Sequence, residues 1–198
     1  HYYTSSFRSP FATKTCKYNV MPNSIKSIFA IPAAFIIIFL ATSYSFSQLV
    51  NDFRVNDDST NTSQDHASIG IDGNGNFVVV WYDWRNSNEE IFCQLFNSLG
   101  QKTGANFCLV SPGYSPDVAV RKDGSFGLCW VDSFPKFRLF NKNGVPISNA
   151  IRIDSLYFPQ ANTPSISCDS SGNFVVVFQR KITLTYLNIH FQILDSLG

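Results

Sequence analysis

The sequence lacks the short patterns by which many enzymes are recognised. It has no His-Glu-x-x-His, Gly-x-Ser-x-Gly or P-loop pattern and no Cys-x-x-Cys pair. The zinc-protease, serine-hydrolase, nucleotide-binding and thiol-redox signatures are therefore excluded. Methionine occurs once, as Met21, and residues 1–47 contain no acidic side chain. The sequence assigns no catalytic residue and no cofactor, so function has to be argued from the architecture.

Charge is scarce, at 15% of the 198 residues, and it is unevenly distributed. Four of the 15 lysines and arginines lie in residues 1–47, so residues 48–198 hold 11 of them against 14 acidic residues, a balance of −3. A chain without a basic surface has no electrostatic basis for binding a nucleic acid. With 44% hydrophobic residues, the chain is long enough to bury a core of conventional size.

Residues 21–47 have the pattern of a secretory signal peptide. Lys26 precedes a run of thirteen uncharged residues, Ile28–Leu40, and small side chains lead up to Ser47. This order predicts cleavage between Ser47 and Gln48, a secreted or cell-surface location, and no membrane attachment after cleavage. The alternative is a signal anchor, for which the run is short. Residues 1–20 are interpreted as sequence upstream of the true start.

A repeat dominates the rest of the chain. Ser68–Trp81 combines a short strand, a Gly/Asn turn and an apolar strand, and the pattern returns at Pro116–Trp130 and Pro164–Phe178. The anchoring aromatic moves from Phe77 to Phe126 to Phe174, steps of 49 and 48 residues. A period of this length with several strands per unit indicates a β-propeller or another repeat array.

Each unit is predicted to form an antiparallel blade of four strands. In the first unit the strands are expected at 67–72, 77–83, 90–96 and 106–110, and in the second at 117–121, 126–132, 136–140 and 150–153. The predicted boundaries are 48–65 for an N-terminal outer strand and linker, 66–111 and 112–159 for blades, and 160–198 for a partial blade. Alternate residues of the second strands should be buried, namely Phe77, Val79, Trp81, Phe126, Leu128, Trp130, Phe174, Val176 and Phe178.

An all-β propeller accounts for these features better than a β-sandwich or a solenoid. A sandwich does not repeat its turns in register, and a solenoid has shorter coils. Phe53–Asn56 aligns with the outer strands and is expected to complete a blade across a closed ring. Because two full blades and part of a third do not close a ring, the remaining blades of a longer chain are expected as partners.

The repeat resembles those of secreted bacterial sialidase-like β-propeller proteins. The resemblance covers about Ala67–Gly198 and rests on Pro-Ser-Ile, Gly-Asn-Phe-Val-Val-Val-Trp, Asp-x-Arg-Asn and Glu-Ile-Phe-x-Gln-x-Phe-Asn. It implies a propeller fold and an extracellular address. Members of this group include enzymes, adhesins and proteins without an assigned activity, so the resemblance implies little about chemistry.

The candidate ligand-binding residues lie where strands end. Asp83 and Arg85 follow the second strand of the first unit, Glu90 opens its third strand, and Asp132 repeats Asp83. The functional interpretation is a polar ligand contact at the mouth of the blade, and the structural one is an Arg–carboxylate bridge that fixes the loop.

Two further groups of residues have both a chemical and a structural interpretation. Asp72, Asn74 and Asn76 offer alternating oxygen ligands for calcium, although tight-turn chemistry explains the same pattern.

The cysteines after residue 47 are even in number and permit disulfides, for which Cys93 and Cys108 are the suitable pair. The alternative is that these cysteines act as small apolar side chains in the core.

Three functions remain open from the sequence. The first is a secreted binding module that takes a glycan or an extracellular protein, favoured by a repeated scaffold with loops of different length. The second is a glycoside hydrolase of the sialidase type, for which a set of arginines and a Tyr/Glu pair cannot be assembled here. The third is a structural spacer of a large surface protein.

The predicted signal peptide leads to the first testable prediction, which concerns export. Protein recovered from the medium of an expressing culture should begin near Gln48, because the predicted cleavage site follows Ser47. N-terminal sequencing of that material measures the start directly. Secreted protein that retains the Met21 segment would contradict cleavage.

Overall fold

The computed structural model describes residues 51–154, 163–181 and 186–195. The chain divides into two units, His1–Asn51 and Asp52–Gly198, and every element below belongs to the second. The predicted signal peptide, its cleavage at Ser47 and Gln48, and residues 1–20 lie outside the described residues.

The described part of the chain is all-β and forms three antiparallel sheets. Sheet 1 consists of β1 (Gln64–Ile71), β2 (Phe77–Asp83), β3 (Glu90–Phe96) and β4 (Lys102–Val110). Sheet 2 consists of β5 (Tyr114–Val120), β6 (Phe126–Val131), β7 (Pro135–Phe140) and β8 (Ile151–Arg152). Sheet 3 consists of β9 (Ser165–Cys168), β10 (Phe174–Lys181) and β11 (Leu187–Leu194). No helix occurs in the described ranges, and none that could cross a membrane was found there.

Strands follow their neighbours in chain order within every sheet, as in a series of hairpins. β2 and β3 have the predicted bounds, since a row of β-branched and aromatic residues suits a pleated surface packed on both sides. β1 and β4 are longer than predicted. Phe53–Asn56, which aligns in sequence with the outer strands, pairs with no strand in the structure.

The tight turns between the first two strands of sheets 1 and 3 share one design. The Asp72 carboxylate accepts the backbone N–H groups of Asn74 at 2.7 Å and Asn76 at 2.9 Å. Gly75 supplies the positive φ of 85° that closes the turn. In sheet 3, Asp169 accepts the corresponding bonds two and four residues further on.

Each sheet has two apolar faces, and the packing of sheets follows from them. The first face is the one on which Phe77, Phe126 and Phe174 lie in sheets 1, 2 and 3, and the second face is its opposite. The second face of sheet 1 packs on the first face of sheet 2. That core contains Val78, Val80, Ile91, Cys93, Val118, Phe126, Leu128, Trp130 and Phe140.

The second face of sheet 2 packs on the first face of sheet 3 in the same manner. Cys129, Phe137 and Leu139 meet Phe174, Val176 and Phe178. Gly127 makes this approach possible, because a Cβ at that position would lie 2.8 Å from the Phe174 ring. The repeat of the sequence is thus also a repeat of the packing.

Burial agrees with the prediction in sheets 2 and 3 but only in part in sheet 1. The predicted residues of β6 and β10 are all buried, and so is Trp81. Phe77 and Val79 are half-buried, whereas Val78 and Val80 are fully buried. The physical reason is that no described sheet packs on the first face of sheet 1.

The segment from Phe53 to Asp57 lies against the outer part of that same face. The Phe53 ring is 5.9 Å from that of Phe96. Lys102 donates to the carbonyl of Val55 at 2.7 Å, and the backbone N–H of Asp57 donates to Asn106 at 2.6 Å. The segment therefore contacts its own sheet through side chains instead of completing a distant one.

Trp130 tests the core between sheets 1 and 2. Trp130→Ala should lower the free energy of unfolding by about 3–5 kcal/mol, because the indole is buried among side chains of both sheets. Chemical denaturation measures the change, and Trp84→Ala on the exposed loop is the matched control, expected within about 0.5 kcal/mol of wild type. Equal losses in both variants would contradict this packing.

Candidate functional site

The first strands of the three sheets meet and form a cleft where they begin. β5 contacts β1 on one side and β9 on the other. The resulting cavity, the entry cleft, has a volume of about 520 Å³. Its lining consists of three short, equivalent segments: His66, Ala67, Ser68, Ile69, Ser115, Pro116, Asp117, Thr163, Pro164 and Ser165.

Each segment carries a residue in the left-handed backbone conformation at the same place. The φ angles are 51° at His66, 50° at Ser115 and 50° at Thr163. These residues are 49 and 48 positions apart, the spacing of the anchoring aromatics. Left-handed conformations cost free energy in residues other than glycine, and such strain concentrates at binding and catalytic sites. Its threefold repetition makes the entry cleft the leading candidate site.

Asp117 joins all three sheets at this cleft. Its carboxylate accepts hydrogen bonds from the hydroxyls of Ser68 on β1 and Ser165 on β9, the latter at 2.9 Å. It also accepts the backbone N–H of Ile166 at 2.8 Å and that of Val118 at 3.0 Å. The carboxylate is therefore saturated with donors and holds the strand entries together.

Aromatic side chains border the cleft on the side of sheet 1. His66 lies 6.5 Å from Tyr82 in an edge-to-face arrangement, and Tyr82 lies 6.2 Å from Trp84. Burial, together with the carboxylates of Glu89 and Asp65, raises the pKa of Tyr82. Trp84 is exposed. Trp84 thus ends a row of aromatic side chains that begins at His66 in the lining of the cleft.

The predicted site residues Asp83, at the end of β2, and Arg85, in the turn that follows, bind each other. Arg85 donates to both carboxylate oxygens of Asp83, at 3.0 Å and 2.8 Å, and the Trp81 indole N–H donates to Asp83 at 2.8 Å. Arg85 also pairs with Asp57 at 2.8 Å, and its guanidinium lies 4.0 Å from the centre of the Phe92 ring. These contacts match the structural interpretation of the two residues, in which an Arg–carboxylate bridge fixes the loop.

Charge and burial reinforce this bridge. Asp83 is completely buried. Partial burial alone would lower the pKa of Arg85, but its hydrogen bonds to Asp83 and Asp57 outweigh burial and raise that pKa. Asp57 responds in the opposite sense: desolvation raises its pKa, but the hydrogen bond and charge of Arg85, together with backbone hydrogen bonds, lower that pKa below its usual value. The arginine is therefore committed to its two carboxylates.

Of the other two candidates, Glu90 is paired with Asp83 across β2 and β3, whereas no described contact joins Asp132 to either residue. Glu90 is buried and accepts a hydrogen bond from Asn86 at 2.7 Å. Asp132 pairs with Lys136 at 2.6 Å, four residues further on in sheet 2. A ligand contact at any of these residues stays a prediction.

The calcium-like pattern Asp72, Asn74 and Asn76 folds back on itself. The Asn76 side chain donates to Asp72 at 2.9 Å, in addition to the two backbone bonds. Desolvation raises the pKa of Asp72, but these hydrogen bonds outweigh it and lower the pKa below its usual value. In the described ranges, no three His, Cys, Asp or Glu side chains lie together as metal ligands.

The four described cysteines are free thiols. In sheet 1, Cys93 is paired with Phe107, and Cys108 with Phe92. Burial raises the pKa of Cys93 and, with the nearby Glu90, raises that of Cys108 to about 11. Cys93 and Cys129 occupy apolar core positions. Neither thiol has the lowered pKa of a reactive cysteine.

The sequence did not identify the entry cleft. Most of its residues are small, and they lie at or just before the beginnings of the first strands, whereas the repeated sequence pattern is strongest in the second strands. The signal was nevertheless present, because Pro116 and Pro164 recur at the repeat spacing directly before Asp117 and Ser165. Pattern reading instead selected charged residues, which bind one another.

No family model matches the sequence, and no curated protein is significantly similar to it. A solved protein of unknown function from Dyadobacter fermentans aligns with 71% of this chain at a TM-score of 0.56 and 14% identity. The aligned part is 40% of that protein's length. This likeness concerns the fold alone.

Two glycan-degrading enzymes align less well. An endo-arabinase from Bacteroides thetaiotaomicron gives a TM-score of 0.43 at 16% identity over 75% of this chain and 60% of its own. A GH43 endo-arabinanase from Bacillus licheniformis gives 0.41 at 14% identity over 68% and 55%. Such scores carry no argument about activity. The predicted sialidase likeness receives no support from these comparisons.

The buried bridge makes a prediction that separates it from surface ion pairs. Arg85→Ala should lower the free energy of unfolding by about 3–5 kcal/mol, because it leaves the buried Asp83 carboxylate without its cation. Lys136→Ala breaks the more exposed pair with Asp132 and should cost about 1 kcal/mol or less. Urea denaturation compares the two variants. A loss for Arg85→Ala no larger than that for Lys136→Ala would refute the structural role.

Proposed function

We propose that the three sheets are consecutive blades of a β-propeller. Two observations support this arrangement. Sheets 1 and 2 each place their second face on the first face of the next sheet, and β5 lies between β1 and β9, as first strands around a central axis do. In that arrangement the entry cleft opens at the centre of one end of the propeller.

We further propose that the protein binds a glycan at the entry cleft. The observation that carries this proposal is the threefold repeat of strained residues, His66, Ser115 and Thr163, around one mouth beside a row of aromatic side chains. A sugar presents apolar C–H faces and polar hydroxyl groups on one molecule. A tryptophan such as Trp84 offers the apolar contact, while serine and threonine hydroxyls offer hydrogen bonds.

The arrangement of groups supports binding rather than hydrolysis. Glycoside hydrolysis generally uses two carboxylates, one on each side of the scissile bond. Among the residues that line the cleft, Asp117 alone has a carboxylate side chain. That carboxylate already accepts four hydrogen bonds. Asp117 therefore acts as a positioning residue for the cleft in this proposal.

The proposal places the protein outside the cell. The support for this location is the signal-peptide pattern of residues 21–47. An extracellular protein segment is the alternative ligand, but a cleft of about 520 Å³ with hydroxyl-bearing walls suits a few sugar units better than a broad protein interface.

Trp84 provides the experimental test. Neutral and sialylated oligosaccharides on a glycan array identify a ligand, and titration then compares variants. Trp84→Ala should weaken binding about tenfold, because the apolar contact with the sugar is lost. Tyr186→Ala, which removes an exposed aromatic beside β11 of sheet 3 and outside the His66–Tyr82–Trp84 row, should bind as wild type. Failure of the intact protein to bind any oligosaccharide, or equal binding by Trp84→Ala, would overturn the proposal.

A further inference from the structure

A second cavity lies between sheets 1 and 2, at the opposite end of the strands from the entry cleft. This cavity, the turn pocket, has a volume of about 190 Å³ and is surrounded by the turns that follow β1, β3, β5 and β7. Val78 and Leu95 of sheet 1 and Val120 and Phe126 of sheet 2 line it with apolar side chains, and Asp72 brings a carboxylate to it. The glycan-binding proposal involves none of these residues.

Sheets 2 and 3 meet in the same way, but there an arginine side chain occupies the equivalent space. Arg121 takes the position in the β5–β6 turn that Asp72 takes in the β1–β2 turn, since the backbone N–H of each donates to the carbonyl four residues further on at 2.8 Å. Arg121 Nε donates to the carbonyl of Gly172 at 2.9 Å, and its guanidinium carbon lies 4.7 Å from the centre of the Phe174 ring. The guanidinium thus connects the turns of two neighbouring sheets.

The partners of that guanidinium have counterparts in the turn pocket. Gly124 and Phe126 line the pocket, and each stands 48 residues before its counterpart, Gly172 or Phe174. Asp72 has a shorter side chain than arginine and leaves the space between the two turns open. A Cβ on Gly124 would lie 3.4 Å from Oδ2 of Asp72, so the carboxylate faces the neighbouring turn. The turn pocket therefore has the surroundings of a guanidinium and a carboxylate in addition.

We propose that the turn pocket binds a guanidinium group, carried either by a small molecule or by an arginine side chain of a peptide. The ring of Phe126 offers a π face to the cation, as Phe174 does to Arg121. The Gly124 carbonyl offers an acceptor, and the Asp72 carboxylate suits the planar fork of a guanidinium. A cavity of about 150 Å³ holds a benzene ring, so the turn pocket has room for a guanidinium on a short alkyl chain.

The Asp72 carboxylate has the capacity for this ligand. Its Oδ1 accepts the backbone N–H groups of Asn74 and Asn76, and within the described ranges its Oδ2 accepts a single hydrogen bond, from the Asn76 side chain at 2.9 Å. A carboxylate oxygen has two lone pairs. Oδ2 can therefore accept an N–H of the ligand while the turn stays closed.

Lys142 raises the alternative of an anionic ligand, because it also lines the turn pocket. Its side chain is exposed and forms no ion pair in the part of the chain that the structure describes. The Asp72 carboxylate, in contrast, is held in place by three hydrogen bonds. A cation that enters meets a charge already in position, whereas an anion would meet apolar walls and an exposed lysine. This difference favours the guanidinium.

Isothermal titration calorimetry of the full chain tests the class of ligand. Agmatine represents a small-molecule source, and the peptide Gly-Arg-Gly represents a protein source. The control peptide Gly-citrulline-Gly has nearly the same shape but a neutral urea group, so it should bind at least about tenfold more weakly. Binding of agmatine alone supports a small molecule, binding of Gly-Arg-Gly alone supports a protein partner, and binding of both supports recognition of the group itself.

Two variants test the role of Asp72. Asp72→Asn keeps a side-chain oxygen for the turn but removes the charge, so it should weaken guanidinium binding about tenfold. The double variant Asp72→Arg/Asn74→Asp copies the turn of sheet 2, in which Asp123 accepts the N–H of Ser125 at 3.0 Å. Its new arginine should fill the turn pocket and abolish binding. Asp169→Asn makes the matched change in the turn of sheet 3 and should bind as wild type.

Lys142→Ala separates a cation site from an anion site, and it should bind the guanidinium at least as tightly as wild type. Absence of saturable binding to wild type, equal binding of the citrulline peptide, or loss of binding in Lys142→Ala would overturn the proposal. Retained binding in the double variant would do the same. Circular dichroism establishes that each variant is folded. If the double variant does not fold, Asp72→Asn decides, because undiminished binding by it contradicts the role of the carboxylate.

Discussion

The contact between the second face of one sheet and the first face of the next determines the rest of this structure. Val78 and Val80 are apolar at alternate positions on one side of β2, and the intervening positions carry Phe77, Val79 and Trp81. A strand that is apolar on both sides has to be covered on both sides. In sheet 2 this requirement is met by neighbours on each face, and the whole described core follows from it.

The position of the candidate site is a consequence of that packing. Face-to-face contact brings the first strand of each sheet beside the next, and the equivalent entries of β1, β5 and β9 then line one cleft. The Asp117 carboxylate converts this proximity into defined bonds with Ser68 and Ser165. The hydroxyls and strained backbone at the mouth are therefore held by a rigid scaffold, as preorganised binding sites require.

The sequence predicted the strands and turns that depend on short-range patterns and recur in each unit. The apolar rows predicted β2, β3, β6 and β10, and the Asp/Gly turns predicted the hairpins between them. It failed where a residue's environment depends on distant partners. Phe53–Asn56 looks like a strand, but its polar backbone is bound by the side chains of Lys102 and Asn106. Val177 and Val80 are equivalent in the pattern, yet Val177 is exposed because no described sheet covers it.

The same distinction applies to the site. Charged residues attract attention in a sequence, but Asp83 and Arg85 satisfy each other, which only the three-dimensional contacts reveal. The small residues of the entry cleft acquire a role only when three repeats are brought together.

A crystal structure of the full chain soaked with an oligosaccharide tests this account most directly. It predicts density for the sugar between Trp84 and the residues Ser115 and Thr163, and a sugar bound only on the outer strands would contradict it.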